Sequence, residues 1–353
     1  MRTKSTALVA LVVALVVGLA MSAAPNPALA EANSEVMVGL VGYRFAVVDA
    51  ESGAVTSTQE EVNTPFHVHF SSDASKAYFV APEGVDVRDG SALTVQSKLE
   101  MAMQGPQRVL LDSDAAKLYV FGYRFDDAMN RTREYVVVDL AADTVAAPVP
   151  FPEALNVDFP AAVAGSSVFA QGFETADSGA LAPLPVVVEI GLGGGAVVGT
   201  SPIAAPEGWD GLKANSVAFA DPSAGRILML VSATRGGRPV VGLASFDLAT
   251  RATSVTEVAG VDKLSWSFFE EGSVSPDGGT AYLFGGGYLV QVELASGTVK
   301  FEGDISTRSL LAVDDEYVYA ASADSLVVLS ADTMQSVRTV ALPATALDGP
   351  FLK

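Results

Sequence analysis

Short apolar segments separated by glycine, aspartate and proline recur along most of the chain. The clearest example is VSPDGGTAYLFGGGYLVQVELASGTV at 274–299, where the apolar runs TAYLF and YLVQVEL are separated by glycines and followed by the turn ASG. Runs rich in Val, Tyr and Phe between such residues predict strands joined by hairpins. The segment therefore predicts a unit of four short antiparallel strands, the last beginning at TVKFE.

The final hairpin of this unit recurs along the chain, because an apolar strand repeatedly ends in a polar residue, turns and resumes. The intervals between these turns are 37 to 58 residues, around the ~40–50 residues typical of propeller blades. We therefore predict an all-β fold, a seven-bladed β-propeller of four-stranded antiparallel blades, with six or eight blades as alternatives. A β-helix has a much shorter repeat. The predicted turns start at Asp49, Asp89, Asp139, Glu189, Asp247, Glu293 and Ser330.

Two features of this repeat lead to further predictions. The 58-residue interval between Glu189 and Asp247 leaves room for an inserted strand pair. The first unit lacks an innermost strand, while the chain ends in GPFLK at 349–353, which resembles the opening TPFHVHF of the second unit. We expect this tail to be the inner strand of the first blade and to close the ring, which would remove exposed sheet edges.

The segment SPDGGTAYLFGGGYLVQVELASGTVKFEGDI, 275–305, resembles the YVTN-type repeat of bacterial secreted and periplasmic WD40-like β-propellers. Units at 68–99, 109–146 and 311–340 match it loosely, and the unit near 160–200 barely matches. The resemblance implies the architecture. It implies no activity, because propellers host unrelated functions.

The N-terminal residues have the three parts of a secretory signal. Arg2 and Lys4 precede the apolar run ALVALVVALVVGLA at 7–20, and Ala28-Leu-Ala30 follows. The apolar run is shorter than the ~20 residues that a membrane span needs. The small residues of Ala28-Leu-Ala30 predict cleavage before Glu31. We expect a signal peptide at 1–30, a single propeller domain at 31–353, no membrane span in the mature chain, and export to the periplasm or beyond the cell.

Composition narrows the possible partners and chemistry. The formal charge is −20, which becomes −22 once Arg2 and Lys4 are removed. Nucleic acid is not expected as a partner, because binding phosphate requires a basic surface. The chain has no cysteine, which rules out thiol chemistry, disulfides and cysteine-attached haem. No cofactor and no oligomer are indicated, so we expect a monomer without a cofactor.

The sequence GYRF occurs twice, at 42–45 and 122–125. Both copies are predicted at the end of the second strand of a unit, aligned with Gly285-Gly-Gly287. A tight connection between two strands favours glycine, which tolerates positive φ. This alignment explains the glycines. It does not explain why an arginine follows in both copies.

Arginines concentrate in the loops that join the second and third strands of the units. These loops and the connections between units emerge on the same face of a propeller. Six of the twelve arginines after residue 30 lie in the first set of loops, and both tryptophans lie in the second. Guanidinium groups bind carboxylate, sulfate or phosphate, and indoles stack on sugars or cations. The candidate ligand-binding residues are Arg44, Arg124, Arg131, Arg133, Arg235, Arg238, Tyr43, Tyr123, Trp209 and Trp266.

A structural interpretation of the same residues remains open. Long hairpins pair their arginines with nearby carboxylates such as Asp126, Asp127 and Glu134, and propeller tryptophans pack between blades. The histidines His67 and His69 alternate on one strand and face the same side. They are weak candidates for a metal site, because no carboxylate close in sequence completes the ligand set. A hydrogen-bonded pair between blades is the alternative.

The patterns favour a binding or interaction module without chemistry of its own. Its partner would be an unknown protein or an anionic or glycan-like ligand. A propeller enzyme of the lactonase or lyase type is one alternative, and an accessory subunit of a periplasmic redox system is another. An enzyme would require carboxylates, His67 and arginines to converge at the channel mouth with perturbed pKa values.

Overall fold

The computed structural model describes most of the chain after residue 34. The expected signal peptide, 1–30, lies outside the described residues. Within the described part, no helix is long and apolar enough to cross a membrane. The described residues are 35–40, 44–57, 67–71, 73–101, 103, 105–112, 116–125, 130–151, 155–174, 184–192, 196–259, 268–305, 309–344 and 346–352.

These residues form β-strands joined by short turns and loops. In the first half of the chain the strands are β1 (Glu35–Leu40), β2 (Arg44–Asp49), β3 (Val55–Ser57), β4 (His67–Phe70), β5 (Lys76–Ala81), β6 (Gly84–Asp89), β7 (Val95–Glu100), β8 (Gly105–Asp112), β9 (Lys117–Phe125), β10 (Arg131–Asp139), β11 (Thr144–Val145), β12 (Val149–Pro150), β13 (Leu155–Ala164), β14 (Ser167–Glu174) and β15 (Leu184–Gly191).

The second half continues the pattern. Its strands are β16 (Val197–Pro202), β17 (Asp210–Ala214), β18 (Phe219–Asp221), β19 (Arg226–Arg235), β20 (Arg238–Asp247), β21 (Thr253–Glu257), β22 (Glu271–Val274), β23 (Thr280–Gly285), β24 (Tyr288–Glu293), β25 (Thr298–Asp304), β26 (Ser309–Val313), β27 (Tyr317–Ala321), β28 (Ser325–Ser330), β29 (Ser336–Ala341) and β30 (Ala346–Leu352).

The strands form seven antiparallel sheets, which are the blades of a β-propeller. Blades 2 to 7 take their strands in chain order from the inner to the outer edge: β4 to β7, β8 to β12, β13 to β16, β17 to β21, β22 to β25 and β26 to β29. Each inner strand contacts the inner strand of the next blade, so these strands line a ring. The predicted fold and blade number are confirmed.

The C-terminal strand closes the ring as expected. Blade 1 has the strand order β3-β2-β1-β30, so its inner strand comes from the end of the chain. The pairing of β1 with β30 is antiparallel, with Met37 opposite Phe351 and Leu40 opposite Ala346. The predicted tail at 349–353 falls within this strand up to Leu352, and the strand begins three residues earlier than GPFLK.

Burial between blades explains why the strands are apolar on both sides. Along β23, Ala281 and Leu283 face blade 5, whereas Tyr282 and Phe284 face blade 7. Because successive side chains point to opposite faces of a sheet, a strand between two blades needs apolar residues at successive positions. The described residues contain seven such apolar clusters, one for each pair of neighbouring blades.

The final hairpin starts at the predicted turn residue in six of the seven blades. Six of the predicted turn residues end their strand, and Glu189 lies two residues before the end of β15. In blade 2, Asp89 Oδ1 accepts hydrogen bonds from the backbone N–H groups of Ser91 and Ala92 at 2.9 and 2.7 Å. This local bond favours aspartate at the start of such a turn.

The long interval before Asp247 is explained by a divided inner strand rather than by an extra blade. Blade 5 has two inner segments, β17 and β18, and both pair with β19. The residues between them bond to blade 6, where Phe269 N–H donates to the carbonyl of Asn215 at 2.7 Å. The described residues contain no inserted strand pair in this interval, so that expectation was wrong; the insertion divides one inner strand within a blade.

Blades 3, 4 and 5 are taller than the other four. Their third strands, β10, β15 and β20, have 9, 8 and 10 residues. In blades 1, 2, 6 and 7 the corresponding strands have 6 residues each. At ~3.3 Å per residue, the extra two to four residues raise these blades by roughly 7–13 Å. The extra residues lie at the strand ends that carry the loop between the second and third strands. The hairpins of blades 3 to 5 therefore extend past the equivalent loops of the shorter blades.

The two GYRF copies occupy different positions in their blades, which corrects the predicted equivalence. Counted from the paired turn residues, Gly122 aligns with Gly285, because Lys117 pairs with Asp139 and Thr280 with Glu293. In blade 1 Asp49 pairs with Glu35, and the position equivalent to Gly122 is Leu40. Gly42 therefore lies two residues after the equivalent position. The reason is strand length, since β9 continues through the motif whereas β1 ends before it.

The closing strand generates a test of the fold. We expect a protein truncated after residue 345 to lose about 4 kcal/mol or more of unfolding free energy, because blade 1 loses its inner strand and the ring opens. Urea unfolding followed by far-ultraviolet circular dichroism measures this change. Removal of Lys353 alone is the control. An unchanged unfolding midpoint in the longer truncation would contradict the role of β30.

Candidate functional site

The propeller has two faces, which we name by the connections that they carry. The loop face carries the connections between the second and third strands of each blade and those between blades. The turn face carries the other two sets of turns. Because blades 3 to 5 are taller on the loop face, they form a raised wall there. Arg124, Arg131 and Arg133 lie on the wall in blade 3, and Arg235 and Arg238 lie on it in blade 5.

Arg131 and Tyr123 form a cation–π pair on one side of the blade 3 hairpin. The Arg131 guanidinium lies 4.3 Å from the centroid of the Tyr123 ring. The Tyr123 ring in turn meets Phe125 edge to face at 5.3 Å. Arg131 is exposed and Tyr123 is half-buried, so this side of the hairpin presents a cation that stacks on an aromatic ring. Such stacking helps to fix the orientation of a guanidinium.

Arg124 and Glu134 form an ion pair on the other side of the same hairpin. The distance between Arg124 Nε and Glu134 Oε2 is 3.5 Å; the Arg124 side chain is 54% exposed and that of Glu134 is fully buried. Neither oxygen of Glu134 accepts a hydrogen bond within the described part of the chain. Burial raises the pKa of Glu134, and the charge of Arg124 opposes that shift. The pairing of arginine with Glu134 that the structural interpretation expects is therefore present.

The blade 5 hairpin presents its two arginines differently. Arg235 Nη1 and Nη2 donate to both oxygens of Glu257 at 2.7 and 2.8 Å. Both side chains of this pair are about half exposed, and Arg238 is also exposed. The tip of the hairpin is Gly236-Gly237, with φ values of 58° and 77°, which suit the tight turn that joins two strands directly.

The remaining candidates fall into two groups. Tyr43 and Trp266 lie outside the described residues, and for Arg44 only its place at the start of β2 is described. Trp209 is 7% exposed and packs in the cluster between blades 4 and 5, as the structural interpretation expects. Its indole lies over Gly242, where an added Cβ would come within 3.0 Å of the ring. We therefore leave Trp209 out of the ligand-binding surface considered below.

Arg108 lies at the channel and was not among the candidates. Its Nη2 donates to the carbonyl oxygen of Glu270 at 2.8 Å. Arg108 is on the inner strand of blade 3, and Glu270 precedes the inner strand of blade 6. Since these blades are not neighbours, the bond spans the channel. Only the ring arrangement brings the two residues together, so local sequence gives no signal for the contact.

His67 and His69 lie on β4, the inner strand of blade 2, opposite Val80 and Tyr78. Burial, and secondly the nearby His67, lowers the pKa of His69 to about 3. Among the described residues, no group of three His, Asp or Glu side chains is placed to hold a metal ion. His69 Nε2 has no hydrogen-bond partner there. The arrangement therefore favours a neutral, packed His69.

Comparison with solved structures shows the same fold in several proteins. The chain is similar to a chain of Kuenenia stuttgartiensis hydrazine synthase, with a TM-score of 0.59, 14% identity, and coverage of 85% of this chain and 93% of that chain. For dihydro-heme d1 dehydrogenase NirN in complex with DHE the values are 0.53, 13%, 90% and 74%. For the Swd1 β-propeller domain of Myceliophteria thermophila they are 0.56, 12%, 81% and 88%.

These likenesses show the propeller fold alone, because the identities are low. Neither a protein-family model nor a curated protein matches the chain. Membership of the YVTN-type repeat family therefore stays a prediction.

The two arginine pairs on the wall should differ in their effect on stability. We expect Arg124→Ala to cost about 2 kcal/mol, because it leaves the buried Glu134 carboxylate without its counter-charge. We expect Arg235→Ala to change stability by no more than the error, since Glu257 becomes solvated. Urea unfolding at pH 7 measures both. Restoration in Arg124→Ala/Glu134→Leu would support the cause, and equal losses in the two single variants would contradict it.

His69 should make the fold sensitive to mild acid. The unfolded chain protonates this histidine near pH 6.5, whereas the folded chain does so only near pH 3. The unfolded state therefore binds the extra proton between these values, and stability falls as the pH is lowered, by up to about 1.4 kcal/mol per pH unit. Aspartates with lowered pKa values, such as Asp73 at about 2, act in the same direction only below about pH 4.

Urea unfolding of the wild type and of His69→Gln between pH 6.5 and 4.5 measures the contribution of His69, because glutamates with shifted pKa values, such as Glu134, are present in both proteins. We expect His69→Gln to flatten the dependence in this window. Identical slopes in the two proteins would show that His69 is accessible to protons in the folded state.

Proposed function

We propose that the protein is exported and acts as a binding module without catalytic chemistry, and that the raised wall of the loop face binds an extended anionic ligand. The observation that carries this proposal is the exposed guanidinium groups of blades 3 and 5, which lie on hairpins longer than those of blades 1, 2, 6 and 7. They stand out because the whole chain carries a net charge of −20. The proposal of export rests on the N-terminal signal pattern at 1–30.

The spacing of the arginines favours an extended ligand over a small one. Arg131 and Arg238 are on blades separated by blade 4. Sheets that pack face to face lie ~10 Å apart, so the two hairpins are separated by roughly 20 Å. A single carboxylate or phosphate cannot contact both. A chain of acidic sugars, with a charge on each residue and apolar ring faces that stack on Tyr123, suits this arrangement.

The arginines of the wall also differ in the contacts that they make within the protein. Arg124 and Arg235 are paired with carboxylates, so their guanidinium groups are positioned but partly neutralised. Arg131 is exposed on the wall and stacks on Tyr123. We assign Arg131 and Arg238 the main contacts with the ligand, and Arg124 and Arg235 a supporting role.

Binding of an oligogalacturonate of about eight residues tests the proposal. We expect isothermal titration calorimetry to detect binding that weakens with added salt and weakens at least tenfold in Arg131→Gln/Arg238→Gln. The control Lys76→Gln/Lys300→Gln removes two positive charges near the turn face and should bind as the wild type does. A heparin oligosaccharide and a neutral cello-oligosaccharide test the class of ligand. Equal binding of the neutral sugar, or an unaffected arginine variant, would refute the arginine wall as the site.

A further inference from the structure

A cleft of about 800 Å³ opens on the turn face, opposite the raised wall. It is bounded by the ends of the inner strands β8, β13 and β18 and by the turn that follows β20. The cleft therefore lies beside the channel, where blades 3, 4 and 5 meet. Its volume is within the range of ~300–1,000 Å³ that is common for sites of small ligands.

The cleft combines an apolar lining with two arginines. Leu110, Ala162 and Ala220 contribute apolar surface from three successive inner strands. Arg226 and Arg251 line the same cleft from blade 5. Predominantly apolar walls with a few fixed polar groups are typical of sites for small molecules.

Arg226 is fixed by a buried carboxylate. Its Nε donates to Asp221 Oδ2 at 2.8 Å, and the Asp221 side chain is fully buried. Asp221 Oδ1 accepts a further hydrogen bond from Ser223 Oγ at 2.6 Å. Within the part of the chain that the structure describes, the terminal nitrogens of Arg226 have no hydrogen-bond partner. The guanidinium is thus oriented at one end and open at the other.

Arg251 is fixed from two sides. Its Nε and Nη2 donate to the oxygens of Glu189 in blade 4 at 3.0 and 2.8 Å. Its guanidinium also lies 4.6 Å from the centroid of the Phe169 ring. Arg251 has a φ of 61°, the left-handed conformation of the turn after Asp247. Among the described residues, its Nη1 has no hydrogen-bond partner.

We propose that this cleft binds a small amphipathic molecule, an apolar body that ends in a carboxylate. Arg226 and Arg251 bind the carboxylate through their open N–H groups, because charge-assisted bonds from a held guanidinium are strong and directional. The apolar body lies against the inner-strand residues. Asp112 also lines the cleft and repels an anion, so the carboxylate lies at the arginine side.

Sodium octanoate is the probe, with 1-octanol as the matched molecule that lacks the charge. We expect saturable binding of octanoate to the purified protein by isothermal titration calorimetry, and at least tenfold weaker binding of octanol. Arg251→Gln should weaken octanoate binding at least tenfold. Ala249→Phe, which places a ring at the exposed rim of the cleft and retains both arginines, should abolish it.

The outcomes separate this site from the loop face and from misfolding. Thermal unfolding confirms that each variant is folded, and Ala249→Phe keeps the test valid if loss of the Arg251–Glu189 pair destabilises the protein. Arg131→Gln should leave octanoate binding unchanged, since Arg131 lies on the opposite face. Absence of saturable binding, equal binding of octanol, or unchanged binding in Ala249→Phe would each overturn the proposal.

Discussion

Apolar contact between neighbouring blades is the interaction on which the rest of the structure depends. In the part of the chain that the structure describes, the side chains of each sheet are buried against the blades before and after it rather than in a core within one blade. The seven clusters form a closed cycle, and each is complete only when both of its blades are in place. The tall hairpins, the arginines and the turn-face cleft are all supported by this cycle.

Polar groups within the cycle fix the blades relative to each other. Gln171 of blade 4 accepts a hydrogen bond from the backbone N–H of Ala218 in blade 5 at 2.6 Å. Gln291 of blade 6 donates to the carbonyl of Ala331 in blade 7 at 2.9 Å. Buried amides of this kind are costly unless they are satisfied, so they favour one alignment of neighbouring blades over others that apolar contact alone would allow.

The sequence predicts what is repeated and local, and fails on what depends on length or on distant parts of the ring. Turn residues such as Asp49 and Asp247 reveal the blade number, because each forms its bonds within a few residues. The alignment of the two GYRF copies was wrong, because β9 is longer than β1 and composition does not show where a hairpin ends. Of the candidate residues, Arg131 and Tyr123 lie together on one hairpin. The Arg108–Glu270 bond joins two blades that are far apart in sequence, and the turn-face cleft is lined by three consecutive blades. Neither was predicted, because both depend on how whole blades are placed in the ring.

The inner strand of blade 1 has a consequence for the order of events in folding. Its residues, Ala346–Leu352, are synthesised after all the other described strands, whereas their partner β1 is the first of those strands. The clusters between blades 2 and 7 can assemble as the chain lengthens, but the first sheet has an open edge until β30 is synthesised. Such pairing between distant residues carries a high loop-closure entropy and is slow. A chain that still lacks β30 therefore exposes an edge of β1 that the closed ring covers, and an open strand edge of this kind favours aggregation.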